Sequence, residues 1–283
     1  MKFALCNEVL QPLPFARQCE VAAALGYHGL EVAPFTLADD PLVITDAQAA
    51  AWRRTAEDHG LVISGLHWLL VKPAGLSIVD ADAALRDRTA AWMERLVELC
   101  AAMGGRYLVH GSPQQRRVPP GESIDVALER ALGCFARAAR RAAACGVVYC
   151  IEPLSPRETD FINTVADAVA LVQAIGSPAF KTMIDCSAAG QAESEPVDAL
   201  MARWMPSGHI AHVQVNDPNR RGPGQGALAF APILRTLRRM QGLGHYGGVV
   251  AVEPFDYVPD GIGSAARAIG YLQGVLEGLD DDD

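Results

Sequence analysis

Short apolar runs of the kind that form buried β-strands recur eight times along the chain, and each gap between them has room for a helix. The gaps are rich in Ala, Leu and Arg, with apolar residues spaced about 3.6 residues apart, which favours helices. The predicted strands are 3–6, 29–32, 62–67, 107–110, 147–151, 180–184, 210–215 and 249–252. The predicted helices are 15–25, 47–59, 83–103, 126–145, 165–175 and 231–240, with N-caps at Asp46 and Ser123.

This alternation continues without a change in composition, which favours a parallel sheet in one domain. Eight strands close a (β/α)8 TIM barrel, and 283 residues suit its usual size of about 250 residues. The structural alternative, a doubly wound open sheet, needs a glycine-rich turn after the first strand, but residues 7–11 are Asn-Glu-Val-Leu-Gln. We therefore predict an α/β fold with a single TIM barrel over residues 1–279 and an acidic tail at 280–283.

Charge and composition narrow the classes of function. The chain has 24 basic and 33 acidic residues, a net charge of −9, so it lacks the basic surface that nucleic-acid binding requires. No apolar run approaches the length of about 18 residues that a membrane span needs. The N-terminus reaches Asn7 and Glu8 too early for a signal peptide, and the seven Cys contain no Cys-x-x-Cys motif. We expect a cytoplasmic protein with reduced cysteines and no nucleic-acid or membrane partner.

Four neighbouring predicted strands reach an oxygen-bearing side chain where they end. Glu152, Asp185 and Glu253 follow the fifth, sixth and eighth strands, and Gln214 shares a face of the seventh strand with His212. Barrel active sites lie at this end of the strands. Three carboxylates in a small volume need a compensating cation, and an all-oxygen ligand set suits Mn²⁺ or Mg²⁺, with Co²⁺ also compatible. The alternative reading, at each single position, is a carboxylate that caps a helix or pairs with Arg.

Further polar and aromatic residues follow the strands on the same side. His67 and Trp68 end the third strand and His110 ends the fourth, so they are candidates for contacts with sugar hydroxyls and with an apolar sugar face. His212 is a candidate for substrate contact, for supporting Gln214, or for binding the metal directly in place of Gln214. The alternative for these histidines is packing behind the site. Arg116 and Arg117 fit either a phosphate site or a solvated charge pair.

At these residues the chain resembles the xylose-isomerase-like superfamily of TIM barrels, and within it the sugar phosphate isomerase/epimerase group. The resemblance covers nearly the whole chain and is most specific in the C-terminal half. The segments that carry it are Ile-Glu-Pro-Leu at 151–154, Met-Ile-Asp at 183–185, Asn-Asp-Pro-Asn-Arg at 216–220 and Val-Glu-Pro-Phe at 252–255. It implies that Glu152 and Glu253 bind metal and move protons, and that Glu158 and Arg220 contact the substrate.

Two positions depart from the pattern of the ketose 3-epimerases that the chain resembles. The metal position of the seventh strand, a His in most members, is Gln214, as it is in hydroxypyruvate isomerases, so the resemblance still implies metal binding. The substrate-binding His three residues after the metal Asp is replaced by Ala188. This second departure stands against 3-epimerisation of a ketose as the specific reaction.

Taken together, the residues and the resemblance predict a metal-dependent isomerase or epimerase that acts on a small sugar or keto-acid, with or without phosphate, through an enediolate. One metal ion per chain and a homodimer or homotetramer are implied. The main alternative is a dehydratase of the inosose dehydratase type in the same barrel. A phosphodiesterase like endonuclease IV is disfavoured by the acidic charge and by Gln214. A non-catalytic sugar-binding protein is disfavoured by the retention of both proton-transfer carboxylates, Glu152 and Glu253.

Overall fold

Eight parallel strands pair in chain order and close on themselves in the computed structural model, which describes residues 1–280. The first strand pairs with both the second and the last, so the sheet has no free edge. The predicted (β/α)8 TIM barrel is therefore confirmed. The strands are β1 Phe3–Cys6, β2 Gly29–Val32, β3 Val62–Leu66, β4 Tyr107–His110, β5 Val148–Ile151, β6 Phe180–Asp185, β7 Ile210–Val215 and β8 Val250–Val252.

Helices surround this barrel, and all six predicted helices are present. Within residues 1–280 the helices are α1 Phe15–Ala24, α2 Asp46–Asp58, α3 Ala83–Ala102, α4 Ile124–Cys145, α5 Val165–Ile175, α6 Cys186–Ala192, α7 Val197–Trp204, α8 Phe230–Gly242 and α9 Gly261–Asp280. The sequence did not predict α6, α7 or α9. The last of these contains five glycines, which lower its helix propensity, and it is held by buried residues such as Ala265 and Leu272.

Local capping fixes where several helices begin and end. Ser123 accepts a hydrogen bond from the Val126 amide, as predicted. The N-cap predicted at Asp46 is wrong by one residue, because Thr45 forms a reciprocal capping box with Gln48. At the other end of α4, Gly146 has a φ of 69°, which a residue with a side chain rarely adopts.

The carboxyl ends of the strands all meet at one rim of the barrel, where the loops 67–82, 111–123, 152–164 and 216–229 lie. Among residues 1–280, none of the helices combines the length and apolar character that crossing a membrane requires. The predicted acidic tail begins at Asp280, the last helical residue, and its other three residues lie outside the described part of the chain.

Candidate active site

A cleft opens at the rim formed by the carboxyl ends of the strands. Its walls combine buried carboxylates, exposed arginines and apolar side chains, a mixture suited to a polar molecule with one less polar face. The lining residues are His67, Trp68, Gly111, Pro113, Glu152, Leu154, Ser155, Arg157, Glu158, Asp185, Ser187, Ala188, Gln191, Pro218, Arg220, Glu253 and Phe255.

Three carboxylates converge at the floor of this cleft. Glu152 and Glu253 directly follow β5 and β8, and Asp185 is the last residue of β6. One oxygen from each lies within 4.8 Å of the oxygens of the other two. Gly111 makes room for this arrangement, since a Cβ atom at that position would lie 1.8 Å from Oε2 of Glu152. The structure thus brings together the three carboxylates that the sequence placed at strand ends.

The pKa values of these carboxylates show how crowded the cluster is. Burial and the neighbouring Asp185 raise the pKa of Glu152 well above its usual range. Burial also raises the pKa of Asp185 to about 7. Burial, Glu152 and Asp185 raise the pKa of Glu253 in the same way. Ionising all three without a compensating cation is unfavourable, so the cluster is suited to holding one.

Asn216, one residue beyond β7, connects the groups of this cluster. Its Nδ2 donates hydrogen bonds to Oδ2 of Asp185 at 2.7 Å and to the carbonyl oxygen of Glu253 at 3.1 Å. Its Oδ1 accepts a hydrogen bond of 2.8 Å from the Ser187 amide. Sequence reasoning assigned no role to Asn216, although its position two residues after Gln214 on the same strand face was a usable signal.

Gln214 lies beside Asp185 in the sheet, as the pairing of β6 with β7 requires. Its side chain is fully buried, and Nε2 donates a hydrogen bond of 2.8 Å to Oε1 of Glu31. Its Oε1 has no hydrogen-bond partner among the described residues. A buried amide oxygen rarely lacks a partner. The three carboxylates suit an oxygen-preferring divalent cation, and the unpartnered oxygen makes Gln214 a candidate fourth donor.

Glu31, in β2, accepts the hydrogen bond from the Gln214 side chain. Sequence reasoning did not identify this residue. Tyr107 donates a hydrogen bond of 2.5 Å to Oε2 of Glu31, and Nε2 of His212 lies 2.8 Å from the same oxygen. Burial alone would raise the pKa of Glu31, but His212 and His67 outweigh it and hold the pKa at about 2. A charged residue inside an apolar strand was the signal that could have identified it.

His212 does not line the cleft. It is buried inside the barrel, where its ring stacks on Tyr107 at a centroid distance of 3.9 Å. Because Glu31 contacts both His212 and Gln214, the structure gives His212 a place in the support of Gln214. Its position does not support the second predicted role, contact with substrate.

His110 also lies away from the cleft, so the structure does not bring this predicted substrate contact to the site. It is fully buried, with Nδ1 2.8 Å from the Tyr149 hydroxyl and its ring against Phe135. Burial and the nearby Arg116 lower the pKa of His110 to about 3, so its imidazole is neutral. Its neighbour Gly111 reaches the cleft instead.

His67 does line the cleft, as predicted. Its Nε2 lies 2.8 Å from Oε2 of Glu8 and 3.9 Å from Oε1 of Glu253. Burial opposes protonation of this ring, but Glu8 and Glu31 raise the pKa of His67 above its usual value. With the buried thiol of Cys6, the ligand atoms of Glu8, His67 and Glu253 also lie within 4.8 Å of one another. Sequence reasoning missed Glu8, which lies two residues beyond the end of β1.

Trp68 and Arg220 form an upper wall of the cleft, and both have left-handed backbone conformations. Their φ values are 52° and 71°, which is uncommon for residues with side chains and typical of functional positions. The Trp68 ring packs edge-on against Phe255 at 6.0 Å, and the Arg220 guanidinium lies 5.0 Å above the same ring. Both predicted substrate-contact residues therefore face the cleft.

Glu158 faces the cleft on the β5 side, also as predicted. Its Oε2 accepts hydrogen bonds from the amide and the hydroxyl of Ser155, at 3.2 and 2.8 Å. These bonds fix the carboxylate while leaving its other oxygen available. Ala188 lines the cleft near the cap of α6, where its methyl group leaves space that a larger residue would fill.

Known proteins resemble this chain over most of its length. The chain is 27% identical over 263 residues to D-psicose 3-epimerase of Agrobacterium fabrum, an alignment that spans 92% of this chain and 86% of that protein. A crystal structure of D-psicose 3-epimerase in the presence of D-fructose superposes with a TM-score of 0.81 at 22% identity, covering 98% of this chain and 99% of that one. The apo structure of 3-keto-D-glucoside 4-epimerase YcjR from E. coli gives 0.80 at 21% identity, covering 97% and 99%.

These structural similarities, at low identity, establish a shared fold. The family model described as xylose isomerase-like TIM barrel matches residues 19–274, which include seven of the eight strands and all three clustered carboxylates. The chain belongs to the xylose isomerase-like TIM barrel family.

Proposed function

We propose that this protein is a divalent-metal-dependent epimerase of a small keto sugar. The observation that carries the proposal is the convergence of Glu152 and Glu253, from strands on different sides of the barrel, within 4.8 Å at the floor of the cleft. The related D-psicose 3-epimerases support epimerisation over the dehydratase alternative. The substitution at Ala188 leaves the sugar and the carbon atom to be identified by experiment.

The donor set supports a resident cation. Glu152, Asp185, Glu253 and the unpartnered Oε1 of Gln214 are the residues that would hold it. Such a cation acts as a Lewis acid that stabilises negative charge on the substrate oxygens. We propose Mn²⁺ or Mg²⁺, because all four donors are oxygens, and Co²⁺ is also compatible.

Proton transfer is assigned to the two glutamates. One takes a proton from the carbon next to the substrate carbonyl, and the electron pair of that C–H bond moves into an enediolate. The other returns a proton to the same carbon from the opposite face, which inverts its configuration with no net redox change.

Substrate binding is assigned to the cleft walls. Glu158 and Arg220 would hold hydroxyl groups, and Trp68 with Phe255 would pack on the less polar face of the sugar. His67 would contact the substrate beside Glu253. The cleft thus supplies both polar and apolar contacts to a molecule of monosaccharide size.

Location and assembly remain part of this proposal. All seven cysteines are free, six of them buried, which supports a reducing compartment such as the cytoplasm. A homodimer or homotetramer is proposed from the resemblance to the family, and light scattering on the purified protein measures it directly.

Deuterium exchange tests the reaction. The Mn²⁺-loaded protein is incubated in D₂O with each member of a panel of ketoses, D-fructose and D-psicose among them, and deuterium at the carbons flanking the carbonyl is followed by NMR to identify the sugar that reacts. We expect exchange and inversion with the wild type, and losses of at least about 100-fold in Glu152→Gln and Glu253→Gln. Glu129→Gln, an exposed control, should match the wild type. Wild-type rates in both active-site variants would exclude the assignment.

A further inference from the structure

One arginine is completely buried beside the candidate active site. Arg116 ends a short turn, Gln114–Arg116, that follows β4, and its side chain is 0% exposed. Its Nη1 donates a hydrogen bond of 2.7 Å to the main-chain carbonyl oxygen of Glu152. Its Nε and Nη2 have no hydrogen-bond partner among the described residues. A buried guanidinium with a single hydrogen bond is costly, so a further interaction must stabilise it.

Two carboxylates, those of Glu152 and Glu158, favour the charged form of this guanidinium. Burial lowers the pKa of Arg116 to about 10, and the charges of these two carboxylates oppose the shift, so the guanidinium stays protonated at neutral pH. A permanent positive charge therefore lies next to the carboxylate cluster.

The neighbouring Arg117 provides a contrast. It is exposed, and its Nη2 donates a hydrogen bond of 3.1 Å to the carbonyl oxygen of Glu158. Both arginines thus connect the loop after β4 to the loop after β5, but only Arg116 is sealed from solvent. Arg116 does not line the cleft, so it acts through Glu152 and has no direct contact with a bound substrate.

We propose that Arg116 is a positioning residue that serves as a fixed internal counter-charge. It ties down the main chain of Glu152 and offsets the negative charge of the Glu152 and Glu158 side chains. This inference rests on the proposed function, in which Glu152 binds the cation and moves protons, but it makes no assumption about the substrate. It has two consequences: Arg116 weakens cation binding, and it stabilises the carboxylates when no cation is bound.

The first consequence is tested by calorimetric titration of Mn²⁺ at pH 8. Arg116→Gln removes the charge and keeps an amide that can donate to the Glu152 carbonyl. We expect its Kd for Mn²⁺ to fall by about 3-fold to 10-fold, because a buried like charge is removed. Arg116→Lys, which keeps the charge, and Arg117→Gln, which removes an exposed charge, should stay within about 2-fold of the wild type. An unchanged or weaker affinity in Arg116→Gln would overturn the proposal.

The second consequence is tested without metal, by thermal unfolding in EDTA. We expect Arg116→Gln to lower Tm by several degrees, Arg116→Lys to lower it by less than half as much, and Arg117→Gln to leave it nearly unchanged. Equal losses in Arg116→Gln and Arg116→Lys would show that the charge contributes nothing, and would also overturn the proposal. If the wild type binds no Mn²⁺, the proposed metal site fails, and this second measurement still decides the role of Arg116.

Discussion

The side-chain amide of Asn216 donates a hydrogen bond of 2.7 Å to Oδ2 of Asp185. This bond holds the carboxylate that ends β6 in the orientation it has in the cluster. We expect Asn216→Ala to weaken Mn²⁺ binding by about 10-fold to 100-fold, as loss of a group that orients a metal ligand typically does. Calorimetric titration measures the change. Asn219→Ala, which removes an exposed amide bonded to the Gln225 carbonyl, is the matched control and should bind like the wild type.

Gly111 gives a steric test of the same cluster. A Cβ at this position would lie 1.8 Å from Oε2 of Glu152, so Gly111→Ala must displace that carboxylate. We expect the epimerase rate to fall by at least about 10-fold while the circular dichroism spectrum is retained. Gly133→Ala is the control, because its added Cβ meets nothing within 4 Å and helix propensity favours Ala. Equal activity in the two variants would contradict the assigned position of Glu152.

Removing metal should make stability fall as the pH rises. Burial raises the pKa of Asp185 to about 7, compared with about 3.9 in an unfolded chain. Between about pH 4 and about pH 7 the folded state keeps a proton that the unfolded state has released, so stability is lost across this window as pH increases. Urea unfolding in EDTA measures the free energy of unfolding at each pH. Between about pH 4 and about pH 7, we expect this free energy to fall by on the order of 1–3 kcal/mol more in the wild type than in Asp185→Asn.

Two comparisons control that pH experiment. Asp58→Asn, which removes an exposed carboxylate, should follow the wild type. Saturating Mn²⁺ should reduce the pH dependence of the wild-type free energy of unfolding in the same window, because the cation replaces the retained protons. A slope in Asp185→Asn as steep as that of the wild type would mean that Asp185 is not the group responsible.

Gln214 is predicted to act through its oxygen. Its Nε2 is used by Glu31, whereas Oε1 is buried and has no partner among the described residues. Gln214→Met keeps a similar volume without a strong donor oxygen, so we expect Mn²⁺ affinity to fall by at least about 10-fold. Gln214→His should retain binding, since an imidazole can both contact Glu31 and present a ligand nitrogen. Unaltered Mn²⁺ affinity in the Met variant would remove Gln214 from the donor set.

Much of the fold and part of the site could be predicted from the sequence, because both depend on local patterns. Apolar runs identified the strands, and Glu152, Asp185 and Glu253 were recognisable because a polar residue ends or follows each buried strand. The roles of Glu31 and Arg116 depend on contacts across the barrel. Glu31 bonds Gln214 from 183 positions away in the chain, and no short-range pattern signals such a contact.

The histidines illustrate the same limit. His67 and His110 both come at strand ends, and no local pattern distinguishes them. The structure places His67 beside Glu8 in the cleft and His110 against Phe135 in the core. The difference arises from which helices and loops cover each strand end, which is a property of tertiary packing.

The last strand, β8, pairs with β1 and is immediately followed by Glu253. The pairing of β8 with β1 closes the ring and also brings in Glu253, so a fragment that stops before residue 253 lacks one of the four proposed donors. A cation held by Glu152 and Glu253 would fasten the final strand to the interior of the barrel. Loading the protein with such an ion should therefore slow unfolding that starts from the C-terminal seam, in addition to enabling chemistry.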